Sequence, residues 1–222
     1  MNFIQLKEHF FKISDSKFAD FSKSLSNSEY LSIGVKNPIL RQLIKEHIKD
    51  DELKLEDFIL GEFLEVDFIY FGLALSRVKT IDAQLDFLKE NIHLAKSWAI
   101  TDCVTTFLKK ISFEQFWDFF KSKHKSKYTY DRRMAYVLGL KTYKDSRILL
   151  VLDEINEDEE YMVMMAEAWL LATIAIIHPL KVFDFLSNTK DTVLKRKTIS
   201  KICDSYRIDS ETKNKFKSLR QK

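Results

Sequence analysis

Residues 81–110, IDAQLDFLKENIHLAKSWAITDCVTTFLKK, read as two consecutive helices, about 81–95 and 97–110, with Thr80 as the helix start. The same reading extends in both directions. Pairs are predicted at about 51–65 with 67–79, 113–123 with 129–143, 146–155 with 158–177, and 180–188 with 191–206. The second members begin near 67, 97, 129, 158 and 191, so the spacing stays close to 30 residues. A period of that size is what stacked helix pairs give, each burying its apolar face against the next, although it is shorter than the ~40–47 residues of HEAT repeats. The predicted fold is therefore all-α: a short right-handed α-solenoid of HEAT-like antiparallel helix pairs. One domain is expected over 1–222, with capping helices in 1–49, helix pairs in 50–206 and a charged segment in 207–222.

Local signals agree. Phe3, Leu6, Phe10 and Ile13 line one face of an N-terminal helix. Asn37-Pro38 reads as an N-cap followed by proline at the first helical position. Asp50-Asp51, Ser112, Asp145-Ser146 and Asp191 are further expected starts, and His178-Pro179 is a stop followed by a new start. Strands are not favoured, because alternation never persists without a competing three-to-four spacing.

Composition excludes several classes. Among 222 residues there are 4 Gly and 2 Pro, too few for the many tight turns of a sandwich or barrel. With 45% apolar residues the chain can bury a sizeable core. Two cysteines, Cys103 and Cys203, make neither a zinc site alone nor a secreted disulfide framework, and they fit a reducing cytosol. The opening MNFIQLKEHFFKI carries Lys7, Glu8 and His9 and is not expected to be a signal peptide. The stretch YMVMMAEAWLLATIAII at 161–177 holds Glu167 in its middle, and we read it as a fully buried helix rather than a membrane span. His9, His47, His93, His124 and His178 are scattered, none within three or four residues of another His or a Cys, so no metal site is expected. The absence of a Gly-rich phosphate loop and of a G-x-S-x-G elbow sets aside NTPases, dinucleotide enzymes and α/β-hydrolases.

The net charge of +3 hides an asymmetry. Residues 181–222 hold 12 Lys and Arg against 5 Asp and Glu, and the remainder holds 24 against 28. A second basic stretch, Lys121, Lys123, Lys125, Lys127, Arg132 and Arg133, contains one acid, Asp131, and the run from Asp153 to Glu160 is its acidic opposite. Such runs are commonly solvated helix faces, and clustered positive charge is also the footprint of a phosphate-binding surface.

Four residues on second helices stand out. Trp98 and Asp102 lie four apart on one face of SWAITDCVTTFL, Arg133 opens DRRMAYVLGL, and Trp169 sits in the apolar helix that follows. In a solenoid these helices would line one wall and could bring two indoles, a carboxylate and a guanidinium to one concave surface. Each also has a plain reading: the tryptophans as core, Asp102 on a polar edge, Arg132 and Arg133 as surface charges.

The chain resembles the bacterial AlkD-like family of DNA alkylation repair glycosylases, which is built of HEAT-like repeats. The similar segments are YLSIGVKNPILRQLIKE (30–46), AKSWAITD (95–102), YDRRMAYVLGLKTYK (130–144), AEAWLLATIAIIHP (166–179) and LKRKTISKI (194–202). The element G-[VI]-x-x-P-x-x-R-x-[LI]-x-K at 34–45 and Trp-x-x-x-Asp at 98–102 carry most of its specificity. The resemblance implies that Asp102 is the catalytic carboxylate, that Trp98 and Trp169 contact the lesion and its sugar, and that Arg133 holds DNA backbone. Arg132, Lys195, Arg196, Lys197 and Lys201 would neutralise phosphates. It implies hydrolysis of the N-glycosidic bond of cationic N3- or N7-alkylated purines in double-stranded DNA, by a cytoplasmic, nucleoid-associated monomer that needs no cofactor or metal and no membrane. The chain departs from the family pattern at Leu25, Ala99 and Ala172, so a non-catalytic member acting as a DNA-structure-binding or protein-interaction scaffold is the alternative.

Overall fold

A computed structural model describes residues 1–26, 30–155 and 158–221 of the chain. It forms two compact units, Met1–Lys110 and Ile111–Lys222. The first holds α1 (Phe3–Lys12), α2 (Ser16–Ser26), α3 (Asn37–His47), α4 (Leu64–Arg77), α5 (Ile81–Asn91) and α6 (Trp98–Val104). The second holds α7 (Phe113–Lys123), α8 (Thr129–Gly139), α9 (Tyr161–Ile174), α10 (Pro179–Asn188), α11 (Thr192–Asp204) and α12 (Ser210–Lys217). The fold is all-α, with antiparallel helix pairs stacked in the HEAT-like manner. Among the described residues there is no strand, only an isolated parallel bridge between Leu31 and Phe63.

Short-range chemistry starts these helices. Asn2 and Ser112 each form a reciprocal capping box, with Gln5 and Gln115. Thr80 accepts from the Ala83 N–H, and Asp191 accepts from those of Val193 and Leu194. Within the second unit, α9 packs along α8 on one side and α11 on the other. The helix α7 packs on α8, α10 packs on α9, and Glu154 of the 3-10 run Ser146–Glu154 pairs with Lys121 of α7. Apolar side chains from these elements, including Phe116, Phe120, Leu138, Ile148, Leu171 and Ile199, are fully buried.

Several expectations need correction. Residues 51–65 do not form a helix: only Leu55–Asp57 makes a 3-10 turn, and α4 packs on α3 instead. The apolar spacing there is helical, but Gly61 has φ +89°, which no helix accommodates. Its N–H donates to both carboxylate oxygens of Asp67, at 3.0 and 3.2 Å, and Leu31 pairs with Glu62 and Leu64 to hold the segment extended. The cap of α3 is Lys36, whose side chain makes no capping bond, with Asn37 already inside the helix. Residues 146–154 are 3-10 rather than α-helical, and the helix expected to reach 143 ends at Gly139. Finally, α9 is not buried all round, since Tyr161 and Trp169 on one edge reach solvent. Among the described residues, no helix is long and apolar enough to cross a membrane.

Candidate nucleic-acid interface

In the first unit the loop before α3 ends on a carboxylate. Glu65, buried at the start of α4, accepts the Ser32 hydroxyl at 2.9 Å and the N–H groups of Ile33, Gly34 and Val35 at 3.0, 2.9 and 3.3 Å. Gly34 can turn there because it is glycine: its φ is +95°, and a Cβ would lie 2.2 Å from the carbonyl oxygen of Asp15. Three residues after Pro38, Arg41 donates to the Thr106 hydroxyl, and its guanidinium lies 5.7 and 5.4 Å from the ring centres of Phe68 and Phe107. The motif at 34–45 therefore braces α3 against the end of α6.

On α6, buried Ser97 caps the helix by accepting the Ala99 N–H at 3.1 Å, which sets Trp98 at the first helical position. Asp102 follows one turn later, half-buried like Trp98, and the Thr101 hydroxyl donates to its Oδ1 at 3.3 Å. Trp98, Ala99 and Cys103 form one wall of an apolar cleft of about 150 Å³, faced by Phe18 and Phe21 of α2 and by Phe68. Burial pushes the Cys103 thiol above its ordinary pKa. The side chain of Leu25 lies outside the described residues.

The second unit presents its own recess. Trp169 is 38% exposed on α9, and the Lys201 ammonium of α11 stands 5.9 Å from its ring centre. These two, with Ala172, Asp204, Tyr206 and Arg207, line a cavity of about 380 Å³. One turn back along α11, Lys197 lies 5.4 Å from the ring of Tyr161. Lys195 is half-buried, and Arg196 is exposed with its Nε donating to the Thr192 carbonyl at 3.3 Å.

The arginines of α8 are turned into the protein. Arg132 binds Asp158 through Nε and Nη2 and donates to the Ser126 carbonyl at 2.9 Å. Arg133 is 5% exposed and donates to the Met162 carbonyl. The lysines before them are also engaged: Lys121 and Lys125 pair with Glu154, and Lys123 with Asp131. Glu154 and Asp158 thus pair with part of the basic stretch, and Lys195, Arg196, Lys197 and Lys201 give α11 four cations against the single acid Asp204.

Behind Trp169, Glu167 is wholly buried in α9. Neither carboxyl oxygen meets hydrogen-bond geometry with another described group, although Tyr136 of α8 lies beside it. Burial pushes its pKa up to about 7, an effect partly offset by the Tyr136 hydroxyl. Among the described residues no group of three or more His, Cys, Asp or Glu is placed to hold a metal ion.

A family model described as "DNA alkylation repair enzyme" matches residues 6–202, nearly nine-tenths of the chain. The chain belongs to the DNA alkylation repair enzyme family. A search of curated proteins finds nothing that matches it. Within the family match lie α6 with Trp98 and Asp102, α9 with Trp169, and α11 through Lys201. Tyr206 and Arg207 fall beyond it, and sequence reading passed over them. The signal available was an aromatic-cation pair placed directly after the most basic helix.

Proposed function

We propose that this member of the DNA alkylation repair enzyme family hydrolyses the N-glycosidic bond of cationic N3- or N7-alkylated purines in duplex DNA. The observation that carries this reading is Asp102 one turn after Trp98 on α6, both half-open to solvent. A purine alkylated on a ring nitrogen is already a cationic leaving group and needs no general acid. As its bond to C1′ lengthens, the electron pair leaves with the base and positive charge builds on the deoxyribose. A fixed carboxylate beside that sugar stabilises the oxocarbenium-like state and orients the water that adds to C1′. The products are the free alkylated base and an abasic site. The electron-rich face of Trp98 favours a cationic base over a neutral one by roughly 0.5–2 kcal/mol. Lys195, Arg196, Lys197 and Lys201 supply phosphate contacts that set register. The protein acts as a monomer of helix pairs and uses no cofactor.

A second reading is favoured by the burial of Arg133 and the pairing of Arg132 with Asp158, which withhold both guanidinium groups from phosphate. In that reading the chain binds DNA without cutting the glycosidic bond. Incubation with duplex containing 7-methylguanine separates the two. Released base, lost in Asp102→Asn, supports hydrolysis; no release above buffer, at protein concentrations where the duplex is bound, leaves binding alone.

A further inference from the structure

We propose that the recess beside Trp169 holds one unstacked nucleotide of a DNA strand, with Tyr206 stacked on its base and Lys201 and Arg207 holding its phosphate. The inference rests on the DNA-binding part of the function proposed above and assigns it a site that includes residues outside the family match.

Tyr206 is the anomaly that leads to it. Its side chain is fully exposed, the most exposed large apolar group in the described chain. Large aromatic rings contribute most when covered, and this bare ring stands in the lining of a recess that also holds Trp169, Lys201 and Arg207. Its backbone is pinned on both sides. The Ser205 N–H donates to the Ile202 carbonyl at 3.2 Å, the Arg207 N–H donates to the Ser205 hydroxyl at 3.2 Å, Ile208 is buried, and Asp209 caps α12 through the Thr212 N–H at 2.8 Å. The ring is therefore held out by an ordered turn at the edge of the recess.

The other lining groups state what the ring would meet. Lys201 lies against Trp169, and the Arg207 guanidinium is placed 5.7 Å from the ring centre of Tyr143, whose hydroxyl is 3.5 Å from its Nη1. Two cations face a single carboxylate, Asp204, so the recess favours an anion. A cavity of about 380 Å³ falls within the ~300–1,000 Å³ of small-molecule sites. A ligand that joins a flat ring to a negative charge at this spacing is a nucleotide, and Asp204 can accept from an exocyclic amine of its base. Lys197, one turn before Lys201 on the same face of α11, continues the cationic row, as a strand with successive phosphates requires and a free nucleotide does not. Stacking on Tyr206 is open only to a base that has left the duplex stack.

The test is fluorescence anisotropy on two labelled duplexes that are identical except for one extra, unpaired nucleotide in the second. Wild type binds the bulged duplex at least about fivefold more tightly, the lower end of what one base-on-ring stack contributes. Tyr206→Ala abolishes the preference and leaves affinity for the paired duplex within about twofold, and Tyr206→Phe retains it. Arg207→Gln lowers the slope of log affinity against log salt by about 0.9. Equal affinity for the two duplexes, binding to neither, or a preference that survives Tyr206→Ala overturns the proposal; an unchanged salt slope in Arg207→Gln removes Arg207 from the phosphate role. Base release decides the glycosylase reading separately. A bulge preference without release leaves the recess standing alone, and release without a bulge preference leaves the glycosylase without the recess.

Discussion

The N–H of Gly34 points at the Glu65 carboxylate from 2.9 Å, and with the bonds from Ser32, Ile33 and Val35 it joins the loop before α3 to the first turn of α4. The geometry depends on a positive φ and on the absence of a side chain, because a Cβ would meet the Asp15 carbonyl oxygen. Gly34→Ala is expected to destabilise the protein by at least about 2 kcal/mol, from left-handed backbone strain and the clash together. Thermal unfolding should show a midpoint lower by roughly 4–8 °C. An unchanged midpoint would mean that the loop is not held as described.

Asp102→Asn keeps the size of the side chain and removes its charge. If Asp102 stabilises the developing sugar cation, base release from 7-methylguanine duplex falls by about 10²–10³, while affinity for the duplex stays within about twofold. A variant that retains full rate refutes the catalytic assignment and leaves family membership untouched.

Arg132 and Lys201 should respond in opposite ways. Arg132→Gln breaks a two-pronged, largely buried pair with Asp158 and costs about 1–3 kcal/mol of stability, with no change in the salt dependence of DNA binding. Lys201→Gln leaves stability nearly constant and lowers the salt slope by about 0.9. Titrations at several salt concentrations, paired with thermal unfolding of each variant, check both.

Glu167 gives the protein a pH dependence of definite sign. Its folded pKa of about 7 lies above the ordinary 4.5, so the folded chain keeps a proton that the unfolded chain has lost. Stability therefore falls as pH rises from about 4.5 to about 7, by up to ~1.4 kcal/mol per pH unit, and levels off above that. Glu167→Gln stays neutral throughout and removes this slope. Denaturant unfolding at pH 5, 6, 7 and 8 should show the two curves converging at the acid end; parallel curves would exclude Glu167 as the source.

What could be read beforehand was whatever the chain decides within a few residues. Thr80, Ser112 and Asp191 cap their helices by bonds to N–H groups two or three positions on, so those starts were visible in the sequence. The four-residue spacing of Trp98 and Asp102 lies within α6, so their place on one short helix was equally visible. Residues 51–63 misled because their apolar spacing is helical, while the conformation of Gly61 is held by Asp67 and Lys96, neighbours in space only. The outward role expected for Arg132 and Arg133 met the same obstacle: Asp158 and the Met162 carbonyl lie 26 and 29 residues away. The exposure of Tyr206 is likewise a tertiary fact, with no local signature beyond its place after α11.

The pairing of Glu154 and Asp158 with the basic stretch before them has a kinetic consequence. With those charges cancelled at short range, the net positive charge of the second unit lies in residues 181–222, which hold 12 Lys and Arg against 5 Asp and Glu. A polyanion diffusing toward this unit feels a torque before it feels a contact, and its first collision is biased to that end. Raising the ionic strength shortens the Debye length and erases that guidance, so the encounter rate should fall with salt even for variants whose bound complexes are unchanged.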